Sequence, residues 1–161
     1  MTLEIGCGES PQKQYDVHLD IRLLPGVDVV GLADQLPFKD GCFQILFNQH
    51  LLEHFPRSET VKILREWRRI LTAGGELRVL TPNLLWLASM YLSQPQSRRE
   101  VIRWLFGGQE EEWNYHKTAF DFFTMKEDME MAGFKDVEPW DHPIHDFGLW
   151  VKAKNKRLIT L

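Results

Sequence analysis

Residues 3–8 of the chain read LEIGCG, a short apolar strand pattern that runs directly into a glycine turn. The acidic Glu4 stands two positions before the first glycine, Gly6, and the second glycine is Gly8. Glycine adopts backbone conformations that other residues avoid, and it lets a ligand come close to the main chain. This stretch therefore predicts a ligand-binding turn at the end of the first strand.

A second acidic residue points to the same site. Residues 17–19 (VHL) form another strand-like run, which ends on Asp20, twelve residues beyond Gly8. In parallel α/β sheets the ligand lies beyond the carboxyl ends of the strands, where an acid can accept both hydroxyls of a ribose. Gly6, Gly8 and Asp20 together predict a pocket for an adenosine-containing cofactor.

A nicotinamide-binding site is the nearest alternative for such a turn. It needs three glycines in the pattern G-x-G-x-x-G, a helix directly after them and an acid about 20 residues further on. This chain has Glu9 and Pro11 after its glycines, and its acid comes sooner. The nicotinamide reading is therefore disfavoured.

Strand and helix patterns alternate along the chain. Strands are predicted at residues 2–5, 16–20, 27–30, 42–48, 76–81, 135–139 and 147–153, and helices at 58–71, 84–92, 99–106 and 124–133. Ser58 is predicted to cap the first helix, and residues 124–127 (TMKE) have the pattern of a capping box. Residues 107–123 lack a clear period and are predicted to form a lid. The alternation predicts one α/β domain over residues 1–161, with a mainly parallel sheet, an antiparallel C-terminal strand and helices on both faces.

Composition excludes several classes of protein. The chain has 161 residues, is 43% hydrophobic and 26% charged, and carries a net charge of -4, so no basic surface indicates nucleic-acid binding. Its two cysteines, Cys7 and Cys42, lack metal or redox spacing, and no apolar run is long enough for a bilayer. We expect a cytoplasmic protein that binds neither nucleic acid nor membrane.

Seven segments, taken in order, resemble the class I S-adenosylmethionine-dependent methyltransferases, specifically the small type 11 group. The segments are LEIGCG (3–8), HLDI (18–21), LPFKDGCF (36–43), HLLEHF (50–55), LREWRRILTAGGEL (64–77), HKTAFD (116–121) and AGFKDV (132–137). The resemblance implies a Rossmann-like class I sheet without its usual N-terminal helix. It also implies methyl transfer from S-adenosylmethionine, with S-adenosylhomocysteine as product, to a small-molecule oxygen or nitrogen nucleophile.

The resemblance assigns a cofactor site residue by residue. It implies that Gly6, Cys7 and Gly8 wrap the methionine end through their backbone, and that Asp20 binds the ribose diol. Glu4 would stabilise that turn or bind the cofactor's amino group. The remaining assignments are Ile21, Leu32 and Ala33 beside the adenine, and Asn48, Gln49 and His50 beside the methionine moiety and the reacting methyl group.

Two histidines are the candidate bases. A histidine with a pKa near neutrality can accept a proton from an attacking hydroxyl or amine. His116 lies in the predicted lid among aromatic residues, and His50 follows the fourth strand. A role for His116 in tying the lid to the sheet is the alternative. Because a sulfonium is already a good leaving group, the chain needs mainly to position the reactants.

Histidine spacing offers only an incomplete metal pattern. His50 and His54 would share one face of a helix, and His142 and His145 form another pair. No cysteine or carboxylate arrangement visible in the sequence completes a ligand set, so no metal is predicted. Glu53 is expected to be a helix-start or core-edge carboxylate, and His54 to bond locally.

Departures from the family pattern leave other functions open. Ser10 replaces the third glycine of the first motif, Leu32 stands where an acid is common, and Gln44 replaces another acid. A methyltransferase-like domain that has lost catalysis and acts as a binding or scaffold partner is the main alternative. A fragment of a longer enzyme is a third, and the expected thin N-terminal edge makes a homodimer reasonable.

Overall fold

The computed structural model describes residues 1–140 and 147–156, and these contain seven strands and four α-helices. The strands are β1 (Thr2–Ile5), β2 (Val17–Asp20), β3 (Val29–Val30), β4 (Phe43–Gln49), β5 (Leu71–Pro82), β6 (Lys135–Pro139) and β7 (Gly148–Lys154). The helices are α1 (Thr60–Ile70), α2 (Leu84–Ser93), α3 (Arg98–Phe106) and α4 (Phe122–Met131). The predicted pair His142 and His145 lies outside the described residues.

All seven strands form one sheet in the order β3-β2-β1-β4-β5-β7-β6. The first five strands pair in parallel, whereas β7 is antiparallel to both of its neighbours. The prediction of a mainly parallel sheet with an antiparallel C-terminal strand is confirmed. Since β1 has β2 on one side and β4 on the other, the strand order reverses there, and a crevice is expected beyond the ends of these strands.

The larger hydrophobic core lies between the sheet and the helices α1 and α4. Helix α1 buries Ile63, Leu64, Trp67 and Ile70, because these side chains recur on one face of the helix. The buried Trp67 donates from Nε1 to the carbonyl oxygen of Ala33 at 2.8 Å. The core helix thereby holds the loop after β3, which borders the crevice described below.

A smaller aromatic core contains Phe47 of β4. Its ring stacks on Tyr15 with ring centroids 5.0 Å apart, and Leu80 and Trp150 are buried beside it. Trp140 packs against the same cluster edge-to-face with Trp150. The loop between β1 and β2 is thus anchored to the sheet by Tyr15.

The start of α1 differs from the prediction, whereas its end does not. Ser58 lies in a 3₁₀ turn (Arg57–Glu59) and makes no cap, and the helix ends at Ile70, within one residue of the predicted end at residue 71. The strand β5 begins at Leu71, earlier than predicted, and there the fully buried Asn155 donates from Nδ2 to the carbonyl oxygens of Leu71 and Thr72 at 2.8 and 3.0 Å. A side chain more than 80 residues away therefore satisfies carbonyl groups just after the helix.

The predicted capping box of the last helix was placed three residues too late. Asp121 is the N-cap of α4, and its Oδ1 accepts from the amide of Thr124 at 2.8 Å. In return Thr124 Oγ1 accepts from the amide of Asp121 at 3.2 Å. Thr124 is thus the third residue of the helix, because the aspartate before Phe122 supplies the better cap.

Among the helices of the described ranges, none combines the length and the apolar character needed to cross a bilayer.

Candidate functional site

The turn after β1 has the backbone conformation that the glycines predicted. Gly6 and Gly8 have φ angles of 69° and 60°, in the left-handed region that favours glycine. The amides of Gly6 and Cys7 both donate to the carbonyl oxygen of Leu19, at 2.7 and 3.3 Å. A Cβ on Gly6 would lie 2.9 Å from Leu51 Cδ2, so a side chain there would force Leu51 to move and would strain the backbone.

Asp20 ends β2 beside this turn and is only 4% exposed. Its Oδ2 accepts from the amide of Gly8 at 2.9 Å, and its Oδ1 accepts from the amide and Nε of Arg22 at 3.0 and 3.1 Å. Burial alone would raise the pKa of Asp20, but the hydrogen bonds from Arg22 and Gly8 outweigh it and keep the pKa below its ordinary value. The carboxylate is therefore ionised at neutral pH.

Glu4 supports the loop between β1 and β2. Its buried Oε2 accepts from the amide of Gln12 at 2.7 Å, and His18 Nε2 lies 3.7 Å away. Burial raises the pKa of Glu4, against the effects of Gln12 and His18. Gln12 also donates from Nε2 to Gln49 Oε1 at 2.9 Å. Glu4 of β1 and Gln49 of β4 thus attach this loop to the sheet through Gln12.

A crevice of about 330 Å³ lies beyond the ends of β1 and β2. Six predicted residues line it, namely Gly6, Asp20, Ile21, Leu32, Ala33 and His50. Ile21 and Leu32 keep 59% and 45% of their surface exposed, so the crevice has an apolar wall next to an ionised acid. Its wall does not include five other predicted residues, namely Glu4, Cys7, Gly8, Asn48 and Gln49.

Burial explains why two of those five lie away from the crevice. Asn48 is fully buried in the sheet, where its Nδ2 donates to the carbonyl oxygen of Arg78 at 3.4 Å. Cys7 is 8% exposed, and burial next to Asp20 and Glu4 raises the pKa of its thiol to about 11. Cys7 is therefore a neutral thiol at physiological pH and no nucleophile.

The crevice also contains residues that the sequence did not assign. Arg22, Asp34 and Lys117 line it, as does Trp113 from the segment 107–123. Arg22 could have been anticipated, because a basic residue two positions after a buried acid can pair with it. Lys117 could not, because its place depends on how a distant segment folds back. Its amide donates to the carbonyl oxygen of Glu53 at 2.8 Å.

A second cavity of about 260 Å³ borders on the same histidine. His50 lines both spaces, and the second one is also lined by His116, Arg103, Trp104 and Phe147. The rings of Trp104 and Phe147 stack with centroids 5.2 Å apart and planes 2° apart, which gives the cavity an aromatic wall. The structure thus brings the two candidate bases, His50 and His116, to one cavity.

His50 has an unusual backbone. Its φ angle is 50°, and its ring nitrogen Nδ1 lies 3.2 Å from Glu53 Oε1. Because this left-handed residue precedes a 3₁₀ turn (Leu52–His54), His50 and His54 do not share a helix face, and that expectation was wrong. The ring of His54 instead contacts His116, with centroids 4.8 Å apart.

His116 is half-buried and stands at the centre of this group. Burial lowers its pKa, although the charge of Glu53 opposes that shift. The imidazole is therefore neutral at neutral pH. The amide of His116 donates to the carbonyl oxygen of Phe106 at 3.1 Å, which attaches the backbone of His116 to the end of α3.

Residues 11–79 match the model of a protein family described as a methyltransferase domain. The match covers less than half of the chain, and it marks that part as similar to the methyltransferases, consistent with the class I S-adenosylmethionine-dependent group. S-adenosylmethionine, the predicted cofactor, is the methyl donor of such enzymes, so the predictions of the cofactor and the enzyme class are confirmed. That residues 1–161 form a single domain stays a prediction. No curated protein matches the sequence of this chain.

Solved structures of methyltransferases share the fold of this chain. A Thermotoga maritima methyltransferase, described as a possible histamine N-methyltransferase, is 19% identical, with a TM-score of 0.63 over 96% of this chain and 82% of its own. A Methanosarcina mazei methyltransferase is 17% identical, with a TM-score of 0.62 over 95% and 91%. The 1,6-didemethyltoxoflavin N1-methyltransferase of Burkholderia thailandensis, solved with its substrate and S-adenosylhomocysteine, is 13% identical, with a TM-score of 0.64 over 95% and 69%. At these identities the likeness establishes the fold.

Proposed function

We propose that the crevice binds S-adenosylmethionine and that the second cavity binds a small-molecule acceptor, whose oxygen or nitrogen receives the methyl group. Asp20 binds the ribose, and Ile21, Leu32 and Ala33 contact the adenine. The observation that carries this proposal is the position of His50, which lines both spaces. A donor in the crevice and an acceptor in the cavity therefore meet beside one side chain.

The described residues fit the cofactor's polar groups, with one adjustment. An ionised carboxylate has about four acceptor positions, and Asp20 uses three of them within the protein. We expect the ribose diol to displace Nε of Arg22, whose side chain is 37% exposed and can turn outward. The amides of Gly6, Cys7 and Gly8 all donate within the protein, so the ammonium group of the methionine end is expected to meet carbonyl oxygens of the turn.

The chain's own part in the reaction is positioning. When bound, S-adenosylmethionine would supply a methyl group on a sulfonium, and the thioether S-adenosylhomocysteine would be the leaving group, so no protein nucleophile is needed. Holding the acceptor atom in line at about 3 Å from the reacting carbon accounts for most of the rate enhancement expected of such a site. His50 and His116 face the acceptor cavity and are the groups placed to take a proton from the acceptor.

The second cavity indicates the type of acceptor. Trp104 and Phe147 provide an apolar aromatic wall, which suits a planar ring. Arg103 is paired with Glu110 at 2.8 Å, but both side chains are more than half exposed. Such a pair contributes at most about 1 kcal/mol, so Arg103 is free to turn toward a polar or anionic group of the acceptor. A small planar hydroxyl or amine compound fits these features best.

Calorimetry with S-adenosylmethionine tests the cofactor site. We expect binding by the unaltered chain and at least tenfold weaker binding by Asp20→Ala, because a hydrogen bond to a charged group contributes about 1.5–3 kcal/mol. Asp28→Asn is the matched control, since Asp28 also accepts a backbone amide near the end of β2 but lies outside the crevice. No heat at millimolar cofactor would favour the scaffold alternative.

Transfer of labelled methyl groups to a panel of small aromatic hydroxyls and amines tests the acceptor. Product formation that depends on Asp20 would support the proposal. Binding of the cofactor without transfer to any member would contradict the acceptor class while leaving the cofactor site intact. That the chain forms a homodimer stays a prediction, which sedimentation of the unliganded protein tests.

A further inference from the structure

Three side chains beside the two cavities have the composition of a metal site. The ligand atoms of Glu53, His54 and His116 all lie within 4.8 Å of one another. In a tetrahedral zinc site the ligands lie about 2.1 Å from the metal and therefore about 3.4 Å from each other. No pair of these ligand atoms therefore needs to close by more than about 1.4 Å to reach that spacing.

The carboxylate of Glu53 lacks a partner that its burial demands. Its side chain is 1% exposed, and its Oε1 faces His50 Nδ1. Among the described residues, no hydrogen-bond donor reaches the buried Oε2. An unpaired carboxylate oxygen costs free energy in such a place unless a proton, a water molecule or a cation satisfies it. The unpaired oxygen of Glu53 therefore points to a bound cation independently of the distances between the three ligand atoms.

Each histidine has one ring nitrogen committed to a backbone carbonyl. Nδ1 of His54 lies 3.2 Å from the carbonyl oxygen of Tyr115 and must carry the hydrogen, since a carbonyl only accepts. One ring nitrogen of His116 hydrogen-bonds in the same way to the backbone of Trp104. The other nitrogen of each ring then presents a lone pair. Histidine ligands of metals almost always have this arrangement, with one ring N–H donated to a carbonyl or carboxylate.

The cluster stands between the cofactor crevice and the acceptor cavity. His54 lines the first and His116 the second. The carbonyl oxygen of Glu53 accepts from the amides of Lys117 and Thr118 at 2.8 and 3.2 Å, which attaches the segment carrying His116 to the turn carrying the other two ligands. The backbone therefore holds all three side chains together without help from an ion.

We propose that Glu53, His54 and His116 bind one divalent transition-metal ion of the zinc class, with the fourth coordination position open to the acceptor cavity. Two imidazoles and one carboxylate are a recognised ligand set for zinc with an open position. The proposed role of that position, binding an oxygen or nitrogen of the acceptor, rests on the proposed function. Metal binding itself does not.

A bound metal would change the part that His116 plays. A nitrogen that coordinates a metal has no lone pair left for a proton, so His116 would position the acceptor instead of acting as a base. His50, which Glu53 orients through Oε1, would remain beside the open position. A substitution of His116 would therefore remove a metal ligand if the ion is bound, and a general base if it is not.

The test uses the tag-free chain from which a chelator has removed bound metals. Zinc is titrated into this chain in the absence of cofactor, and binding is measured by calorimetry. We expect one equivalent to bind at micromolar concentration or below. His54→Gln and His116→Gln should each weaken binding at least tenfold, whereas His18→Gln should not, since His18 is outside the cluster. Cobalt added in place of zinc should give the visible absorption bands of a four-coordinate ion, and those bands should be lost in the His116 variant.

Two results would overturn the site: no stoichiometric binding at 100-fold molar excess of zinc, or unchanged affinity in a His54→Gln, His116→Gln double variant. Thermal melting confirms that each variant folds, and both histidines are half-buried, so their loss is expected to be tolerated. Calorimetry with S-adenosylhomocysteine, the stable product of S-adenosylmethionine, on the same variants separates the proposed cofactor site from the proposed metal site. Retained binding of that nucleoside without zinc binding would contradict the metal site alone.

Discussion

The amide of Gly8 donates to Oδ2 of Asp20 at 2.9 Å, so the turn after β1 and the acid that ends β2 form one hydrogen-bonded unit. Arg22 occupies the other oxygen of the same carboxylate. The unit is therefore arranged before any ligand arrives, and only the arginine has to move. Preorganisation of this kind lowers the cost of binding.

Removing the arginine tests that view. Arg22→Ala should leave the affinity for S-adenosylhomocysteine unchanged or increase it by up to about fivefold, because a half-exposed ion pair contributes at most about 1 kcal/mol. Calorimetry measures the effect, with Lys62→Ala on α1 as a control for the loss of one positive charge. A tenfold loss of affinity would mean instead that Arg22 contacts the cofactor.

The backbone of His50 allows a selective substitution. Asparagine tolerates the left-handed region better than most residues, so His50→Asn should keep the φ of 50° while removing the imidazole. We expect cofactor affinity within about threefold of the original and methyl transfer reduced about 100-fold or more, the range for loss of a general base. In His50→Val a β-branched residue would have to adopt the left-handed backbone conformation, so this variant should be less stable and serves as the comparison for stability. Unchanged transfer in the asparagine variant would remove His50 from the mechanism.

The cap of α4 gives a prediction about stability. Asp121→Ala should lower the free energy of unfolding by about 1 kcal/mol, since its side chain satisfies the amide of Thr124. Thr124→Ala should cost less, because Thr124 is a helix residue and not the N-cap. Urea titration of both variants measures the difference. A larger loss for Thr124→Ala would favour the helix start that the sequence alone predicted.

Acid should weaken the link between α1 and the loop before β4. Glu66 accepts from the amide of Leu36 at 2.8 Å and pairs with Arg69, and the hydrogen bond from Arg69 is the main reason that its pKa lies below its ordinary value. A lowered pKa adds stability above the ordinary pKa of the carboxyl, and this contribution is lost as the pH falls through the lower value in the folded protein.

Glu66→Gln should accordingly reduce the free energy of unfolding by about 1 kcal/mol at pH 7, and the difference from the unaltered chain should shrink below pH 4. Urea titrations between pH 7 and pH 3 measure it, with the exposed Glu59→Gln as control. A difference that is constant over this range would show that the charge of Glu66 is not the stabilising feature.

The sequence was sufficient for features that depend on neighbouring residues. The strand pattern before Gly6 and the acid after residues 17–19 are local, and both reached the same crevice because parallel strands end at one edge of the sheet. The class of sheet, mainly parallel with an antiparallel C-terminal strand, followed from the alternation of strands and helices and from the family resemblance. The early start of β5 at Leu71 did not follow, since the carbonyl oxygen of Leu71 is bound by Asn155 near the far end of the chain.

The histidine cluster shows the same limit at the candidate site. Glu53 and His54 are adjacent, but His116 is more than 60 residues away and reaches them through backbone hydrogen bonds of the segment 107–123. Reading His50 and His54 as one helical pair missed this, because His50 itself has a left-handed backbone and only the 3₁₀ turn Leu52–His54 follows it. Helical spacing predicts neighbours only where a helix forms.

A crystal structure of the chain soaked with S-adenosylhomocysteine tests the central claim most directly. We predict density in the crevice, with the ribose hydroxyls within hydrogen-bonding distance of Asp20, the side chain of Arg22 turned away and the sulfur next to His50. A nucleoside bound elsewhere, or a crevice in which Arg22 still pairs with Asp20 at saturating ligand, would contradict it.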